Sequence, residues 1–222
     1  MPLTPCRTVV LISGRGSNLE AIIGAAHAGT CPIELAAVIS NRPDAPGLQA
    51  ARAAHVPVEI VDHQGFVDRS SFDRALIEHI DRHRPDLVAL AGFMRVLGDA
   101  FIDRYNGKLI NIHPSLLPAF PGLRTHERAL ASGAKHHGAS VHFVTREVDG
   151  GPIIVRASVP LLLADTAESL AARVLNEEHR IYPLAIRWFA EGRLTIRGGR
   201  VLLDGRQQAV QGLPLTDESL GR

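Results

Sequence analysis

Residues 7–29, RTVVLISGRGSNLEAIIGAAHAG, decide the fold. RTVVLI is a short apolar run, and SGRGSN is small and polar with two glycines. The remainder places its apolar residues at helical spacing. The reading is strand, glycine loop, helix. Outward from this unit the pattern repeats. IELAAVIS at 33–40 reads as a second strand, 47–55 as a short helix, and PVEIV at 57–61 as a third strand. Ser70 or Ser71 is expected to cap SFDRALIEHIDRHRP, in which Phe72, Leu76, Ile77 and Ile80 share a face. DLVALAG at 86–92 and KLINIH at 108–113 read as further strands, separated by a helix at 97–105.

Apolar strands alternating with helices imply an α/β fold: a doubly wound, mostly parallel sheet, Rossmann-like in its N-terminal half. The second half differs. SVHFV at 140–144 alternates and GPIIVRASVPL at 151–161 is extended, with an Asp149-Gly150 turn signal between them. An antiparallel C-terminal addition to the sheet follows from this. Asp165 or Thr166 caps a long C-terminal helix, TAESLAARVLNEEHRIYPLAIRWF, which Pro183 is expected to kink or split. LTIRGGRVLLDG at 194–205 reads as a hairpin around Gly198-Gly199, and the polar tail from 207 as frayed. No linker interrupts the chain, so one domain is expected.

Composition limits the function classes. The chain has 222 residues, 45% hydrophobic and 21% charged, with formal net charge +1. So even a balance provides no field for nucleic acid or a membrane surface. Cys6 and Cys31 are the only cysteines and form no disulfide framework. No apolar run approaches membrane-spanning length, and no signal segment is evident, so a cytoplasmic location is expected. The eleven histidines include no HxxxH or HxH pair, so no metal is expected, and His136-His137 in AKHHG reads as exposed loop.

Ligands of a doubly wound sheet bind at the carboxyl ends of its strands. SGRGSN lies at such an end, where backbone N–H groups and a helix N-terminus suit a single phosphate. It is not a Walker loop, because no GK[ST] follows, and Leu19 replaces the third glycine of a dinucleotide fingerprint. A tight turn without a ligand is the alternative. The stretch LINIHPSLLPAFPG, residues 109–122, ends a strand at the same edge. Asn111 and His113, two apart, share a face. An amide and an imidazolium aimed at one point can stabilise an oxyanion, although such a pair can also tie down the following loop. Asp149 on the DGG turn can reach His113 if the two strands are neighbours. There it would orient the ring and favour its charged, acidic form. A plain turn aspartate is the alternative. Glu178 falls on the Leu170, Val174, Ile181 and Leu184 stripe of the long helix, where a carboxylate is costly unless paired. It would bind an amine or hydroxyl of a ligand, or else reach solvent at the rim or pair with His179 or Arg173.

Together LISGRGSNLEAI, LAGFMRVL, LINIHPSLLPAFPG, HGASVHFVTREVDGGPI and EEHRIYP resemble the folate-dependent formyltransferases of purine synthesis, the phosphoribosylglycinamide formyltransferase (GAR transformylase) family. The likeness runs from about residue 7 to about 205. It implies one formyltransferase domain over 1–222, with a nucleotide-phosphate half at 1–113, a folate-binding and catalytic half at 114–205, and a tail at 206–222. It implies that the formyl group of 10-formyltetrahydrofolate, a co-substrate, passes to the amine of 5′-phosphoribosylglycinamide. Asn111 and His113 would then stabilise the tetrahedral oxyanion, His113 would protonate the leaving folate nitrogen, and Asp149 would keep His113 charged. Gly16, Ser17, Asn18 and Glu178 match ribonucleotide contacts. Arg69, Met94, Arg95, Val96, Leu97, Asn111, Thr145, Arg146, Glu147, Val148 and Asp149 match folate contacts. His142 shares a face with Ser140 and Val144, which assigns it no role. Leu175 stands where some relatives carry a polar or basic residue.

Three rivals share parts of this pattern. A methionyl-tRNA formyltransferase would add a basic tRNA-binding domain after the C-terminal helix, and the near-neutral charge does not suit tRNA. A formyltetrahydrofolate hydrolase would use the same Asn–His–Asp set with water as acceptor. A non-catalytic folate- or nucleotide-binding protein would need no charged His beside an Asp. Small-molecule substrates are the expected partners, and an exposed sheet edge leaves a homodimer open.

Overall fold

Val9, Val10, Leu11 and Ile12 are completely buried, as a strand covered on both faces requires. They end β1 (Cys6–Ile12), the first element of a computed structural model that describes residues 5–207. The described chain falls into two compact units that divide between Asn111 and Ile112.

In the first unit β1 leads through α1 (Ser17–His27) to β2 (Ile33–Ser40), α2 (Gly47–Ala53) and β3 (Val58–Ile60). A short 3-10 turn, His63–Gly65, precedes α3 (Arg69–Arg82), β4 (Leu87–Leu90), α4 (Asp99–Arg104) and β5 (Leu109–His113). The strands are parallel in the order β3-β2-β1-β4-β5. The chain therefore winds outward from β1 and then restarts on its other side at β4. That reversal makes the carboxyl ends of β1 and β4 the topological switch point, the place where such sheets bind ligands. α3 begins earlier than Ser70 or Ser71 would place it. Asp68 is its N-cap, and its carboxylate accepts from Ser71 N at 2.7 Å.

The second unit opens with the last two residues of β5, Ile112 and His113. α5 (Thr125–Ala131) follows, then β6 (His136–Phe143) beside β5, and β7 (Ile153–Pro160) antiparallel to β6. The register shifts between Val141 and His142, which face Val155 and Ile153, so that Ile154 is left over as a bulge on β7. Thr166 caps α6 (Ala167–Ala190), which packs on β6 and β7. The expected break at Pro183 does not occur, and α6 runs through it. Proline costs about 3 kcal/mol inside a helix. Tyr182, Leu184, Ala185, Ile186 and Trp188 are all buried around it, and full burial of large apolar side chains contributes about 1.5–3 kcal/mol each. Packing outweighs the missing N–H. β8 (Leu194–Arg197) and β9 (Arg200–Leu203) form the expected hairpin, and β10 (Arg206–Gln207) adds a third strand. The rest of the expected tail, 208–222, lies outside the described residues.

His136 and His137 are not in a loop. They begin β6, and His137 is completely buried. β6 therefore starts four residues before the alternating SVHFV pattern, because the polar AKHH segment still pairs with β7, His136 opposite Pro160. Among the described residues no helix is long and apolar enough to cross a membrane.

Candidate active site

His113 ends β5, and Asn111 precedes it by two residues on the same strand. Strand alternation therefore gives the two side chains a common face. His113 is 6% exposed, and both its ring nitrogens face oxygen. Nε2 donates to the Phe120 carbonyl at 3.0 Å, and Nδ1 lies 3.4 Å from Asp149 Oδ2. A ring whose two nitrogens both point at acceptors is set to donate from either.

Asp149 is held where it meets His113. It adopts φ +54°, a left-handed conformation that aspartate tolerates better than most residues. Its Oδ2 accepts from Gly122 N at 2.8 Å, and its Oδ1 lies 3.7 Å from His142 Nε2. The carboxylate thus sits between two imidazoles. His142, next to the register shift on β6, donates from Nδ1 to the carbonyl of its neighbour Phe143 at 2.9 Å. Burial holds the His142 pKa below the usual histidine value, with the nearby His113 acting in the same direction. Burial thus favours the neutral form of His142.

The apolar, proline-rich stretch after His113 is fastened by polar groups of the sheet. Ser140 on β6 donates to the Ser115 carbonyl at 2.6 Å and accepts from Leu117 N at 3.0 Å. Arg156 on β7 donates to the Leu117 carbonyl at 2.7 Å. From α5, Arg128 donates to the Pro121 carbonyl and lies over the Phe120 ring. Prolines cannot join a ladder, so side chains satisfy this segment's carbonyls instead. Beside it His126 Nδ1 meets His137 Nε2 at 3.2 Å. Burial pushes the His137 pKa down to about 4, with His126 and His113 adding to the effect.

Glu178 is buried on α6, 8% exposed, on the apolar stripe. Thr145, Arg146, Glu147 and Val148 lead into the Asp149 turn, with Val148 exposed.

The first unit carries the other candidates. Gly16 caps α1 at φ +82°, and a Cβ there would meet Gly47 Cα at 2.6 Å. Only glycine permits this approach of the loop to the start of α2. Ser17 and Asn18 form the first turn of α1, so the loop presents a helix N-terminus. Arg69 is the first residue of α3. Met94, Arg95, Val96 and Leu97 follow β4 in irregular backbone, with Met94 and Val96 exposed and Leu97 buried. Gly16 to Asn18 and residues 94–97 therefore follow the two strands of the switch point.

The sequence reading missed three buried polar residues near these segments: Ser13, Asn41 and Asp73. Asp73 carries a legible signal. It lies three residues before Leu76 and seven before Ile80, so a carboxylate occupies the apolar face of α3, as with Glu178. Among the described residues no group of three or more His, Cys, Asp or Glu side chains is arranged to hold a metal ion.

Residues 6–186 match the formyl transferase family model. The chain is 50% identical over 204 residues to the phosphoribosylglycinamide formyltransferase of Escherichia coli K12, covering 92% of this chain and 96% of that one. It is 44% identical to the enzyme of the same name from Haemophilus influenzae, over 90% of this chain and 94% of the relative. The solved phosphoribosylglycinamide formyltransferase of Coxiella burnetii superposes with a TM-score of 0.89 at 51% identity, over 94% of this chain and 98% of that chain. The chain belongs to the formyl transferase family.

Proposed function

We infer that this chain transfers the formyl group of 10-formyltetrahydrofolate to the amine of 5′-phosphoribosylglycinamide, releasing tetrahydrofolate, in de novo purine synthesis. We read residues 1–222 as one formyltransferase domain. The observation that carries the reading is His113, buried at a strand end with an imidazole nitrogen 3.4 Å from Asp149, in a chain 50% identical to a named formyltransferase.

In this reading the substrate amine attacks the formyl carbon and the carbonyl oxygen becomes an oxyanion. Asn111 donates an amide N–H to that oxygen, and His113 gives it the Nε2–H that otherwise meets the Phe120 carbonyl, keeping Nδ1 toward Asp149. His113 then gives a proton to the departing folate nitrogen as general acid, and the proton that the attacking amine loses passes by way of a water to the ring and restores it. Asp149 balances the imidazolium charge and fixes the ring plane, while the neutral His142 leaves that carboxylate to His113. Gly16, Ser17 and Asn18 take the ribonucleotide phosphate, and Glu178 takes its amine or a hydroxyl. Arg69 pairs with the folate carboxylates. Residues 94–97 and residues 145–149 are each assigned to the pterin.

A product assay tests the reading: purified protein and 10-formyltetrahydrofolate, with and without the ribonucleotide, following tetrahydrofolate, formate and formylated nucleotide. Folate release that needs the ribonucleotide and matches formylated product one for one is expected. Equal release without it, accompanied by formate, would mean that water is the acceptor and that the chain is a hydrolase. His113→Ala is expected to lower kcat about a thousandfold; turnover within tenfold of the parent would remove His113 from the chemistry.

A further inference from the structure

Residues 91–98 contain neither helix nor strand. Met94 is 70% exposed and Val96 60% exposed, while Phe93 and Leu97 on either side of that pair are buried. Exposed apolar side chains on irregular backbone keep one geometry only if something fastens the chain. Two buried polar side chains do so, one at each end. The Ser13 hydroxyl accepts from Met94 N at 2.7 Å, and Asp73 Oδ2 accepts from Gly98 N at 2.7 Å. Between these ends the Arg95 guanidinium lies 6.0 Å over the Phe72 ring.

We propose that Ser13 and Asp73 are positioning residues for folate, fastening residues 94–98 as a pre-set edge against which the pterin binds. The proposal rests on the formyl-transfer reading for the role of that segment.

Each fastener carries a cost that packing alone does not explain. Asp73 is 5% exposed, its Oδ1 is buried with no hydrogen-bond partner, and it stands on the apolar face of α3. A carboxylate there is costly relative to a leucine, and the charges of Arg69 and Arg95 offset part of that cost. Gly98 is matched to it. A Cβ at 98 would come within 2.9 Å of Asp73 Oδ2, so glycine leaves the carboxylate room to reach the N–H. Ser13 is equally committed: its hydroxyl accepts from Met94 and donates to Asn41 Oδ1 at 2.6 Å, and both residues are buried. Because β1 and β4 are neighbours, the Ser13–Met94 bond crosses the switch point from one strand end to the other.

The two fasteners differ in one respect that an experiment can read. Ser13 is also the residue from which the glycine loop 13–18 departs, so it touches the segments assigned to both substrates. Asp73 touches only the folate segment. Asp73→Ala is expected to raise the folate KM at least tenfold, with kcat within threefold and the ribonucleotide KM within twofold of the parent. Ser13→Ala is expected to raise both KM values at least fivefold. Asp73→Asn keeps an acceptor for Gly98 N–H and is expected to recover the folate KM to within threefold. Gly98→Ala keeps the N–H but crowds the carboxylate, and is expected to raise the folate KM about fivefold; it serves if Asp73→Ala does not fold.

Calorimetric binding of tetrahydrofolate to the parent and each variant, with thermal melts alongside, separates this proposal from the functional reading. If the parent binds tetrahydrofolate but formylates no ribonucleotide, the reading of the reaction fails. The pattern of folate Kd values across the variants then still decides the proposal. A parent that binds no folate overturns it. So does a folded Asp73→Ala or Gly98→Ala with unchanged folate affinity, or one of these two variants in which both substrates weaken equally as the melting temperature falls.

Discussion

Asp149, Gly150 and Gly151 are three consecutive residues with three different physical reasons to be what they are. Asp149 takes a left-handed conformation and brings its carboxylate to His113. The atoms nearest a Cβ on Gly150 all belong to the exposed Glu147 side chain, which can move aside. A Cβ on Gly151 would fall 1.8 Å from the Phe143 carbonyl oxygen, which is backbone and cannot. Gly150→Ala is therefore expected to change stability by no more than about 0.5 kcal/mol. Gly151→Ala is expected to cost about 3 kcal/mol, at the upper end for overpacking, and to disturb the turn that carries Asp149. Urea melts of the two variants check this, and equal stability would contradict the close approach. The DGG string showed a turn, but not which glycine the turn needs. That depends on the carbonyl of a residue eight positions earlier.

At the scale of elements, α6 shows where local signals suffice and where packing overrides them. Its start is local: the Thr166 hydroxyl accepts from Ser169 N at 3.2 Å, and Ser169 Oγ accepts from Thr166 N at 3.0 Å, a reciprocal cap readable as Thr-x-x-Ser. Thr166→Ala is expected to lower stability by about 1 kcal/mol, with Thr166→Asn near neutral, as read by thermal unfolding. Its passage through Pro183 is not local, because buried neighbours from Tyr182 to Trp188 hold the helix together. β6 makes the same point. Polar AKHH gave no period-2 signal, yet pairing with β7 draws His136 and His137 into the sheet. The start of α3 was missed by two or three residues because an aspartate cap, Asp68, competed with two adjacent serines.

For the molecule as a whole, its buried and half-buried histidines make stability depend on pH. His137, His126 and His142 all have pKa values lowered chiefly by burial, His137 to about 4 against 6.5 for an ordinary histidine. The unfolded chain takes up these protons first as pH falls through 6.5, while the folded chain stays neutral at His137 until about 4. Stability is thus complete above about 6.5 and is lost between there and 4, with His137 accounting for up to about 3 kcal/mol. Urea midpoints at pH 7.5 and 5 are expected to show the loss, and His137→Asn to flatten it. An unchanged midpoint in the parent at pH 5 would mean that these rings are not held neutral.

The sequence by itself determined the α/β class, the doubly wound order and the candidates Asn111, His113 and Asp149, because each rests on a local pattern. Those patterns are a strand period, a proline stop, a turn dipeptide and a glycine loop before a helix. The tertiary structure alone decided what those residues touch. Burial of His137, the place of Asp149 between two imidazoles, and the hydroxyl and carboxylate that fasten residues 94–98 all join positions tens of residues apart. Met94 and Ser13 are separated by 81 positions, and His113 and Asp149 by 36. Hydrogen bonding and desolvation act over a few ångströms, so they are set by which groups the fold brings together, a quantity that no window of sequence contains.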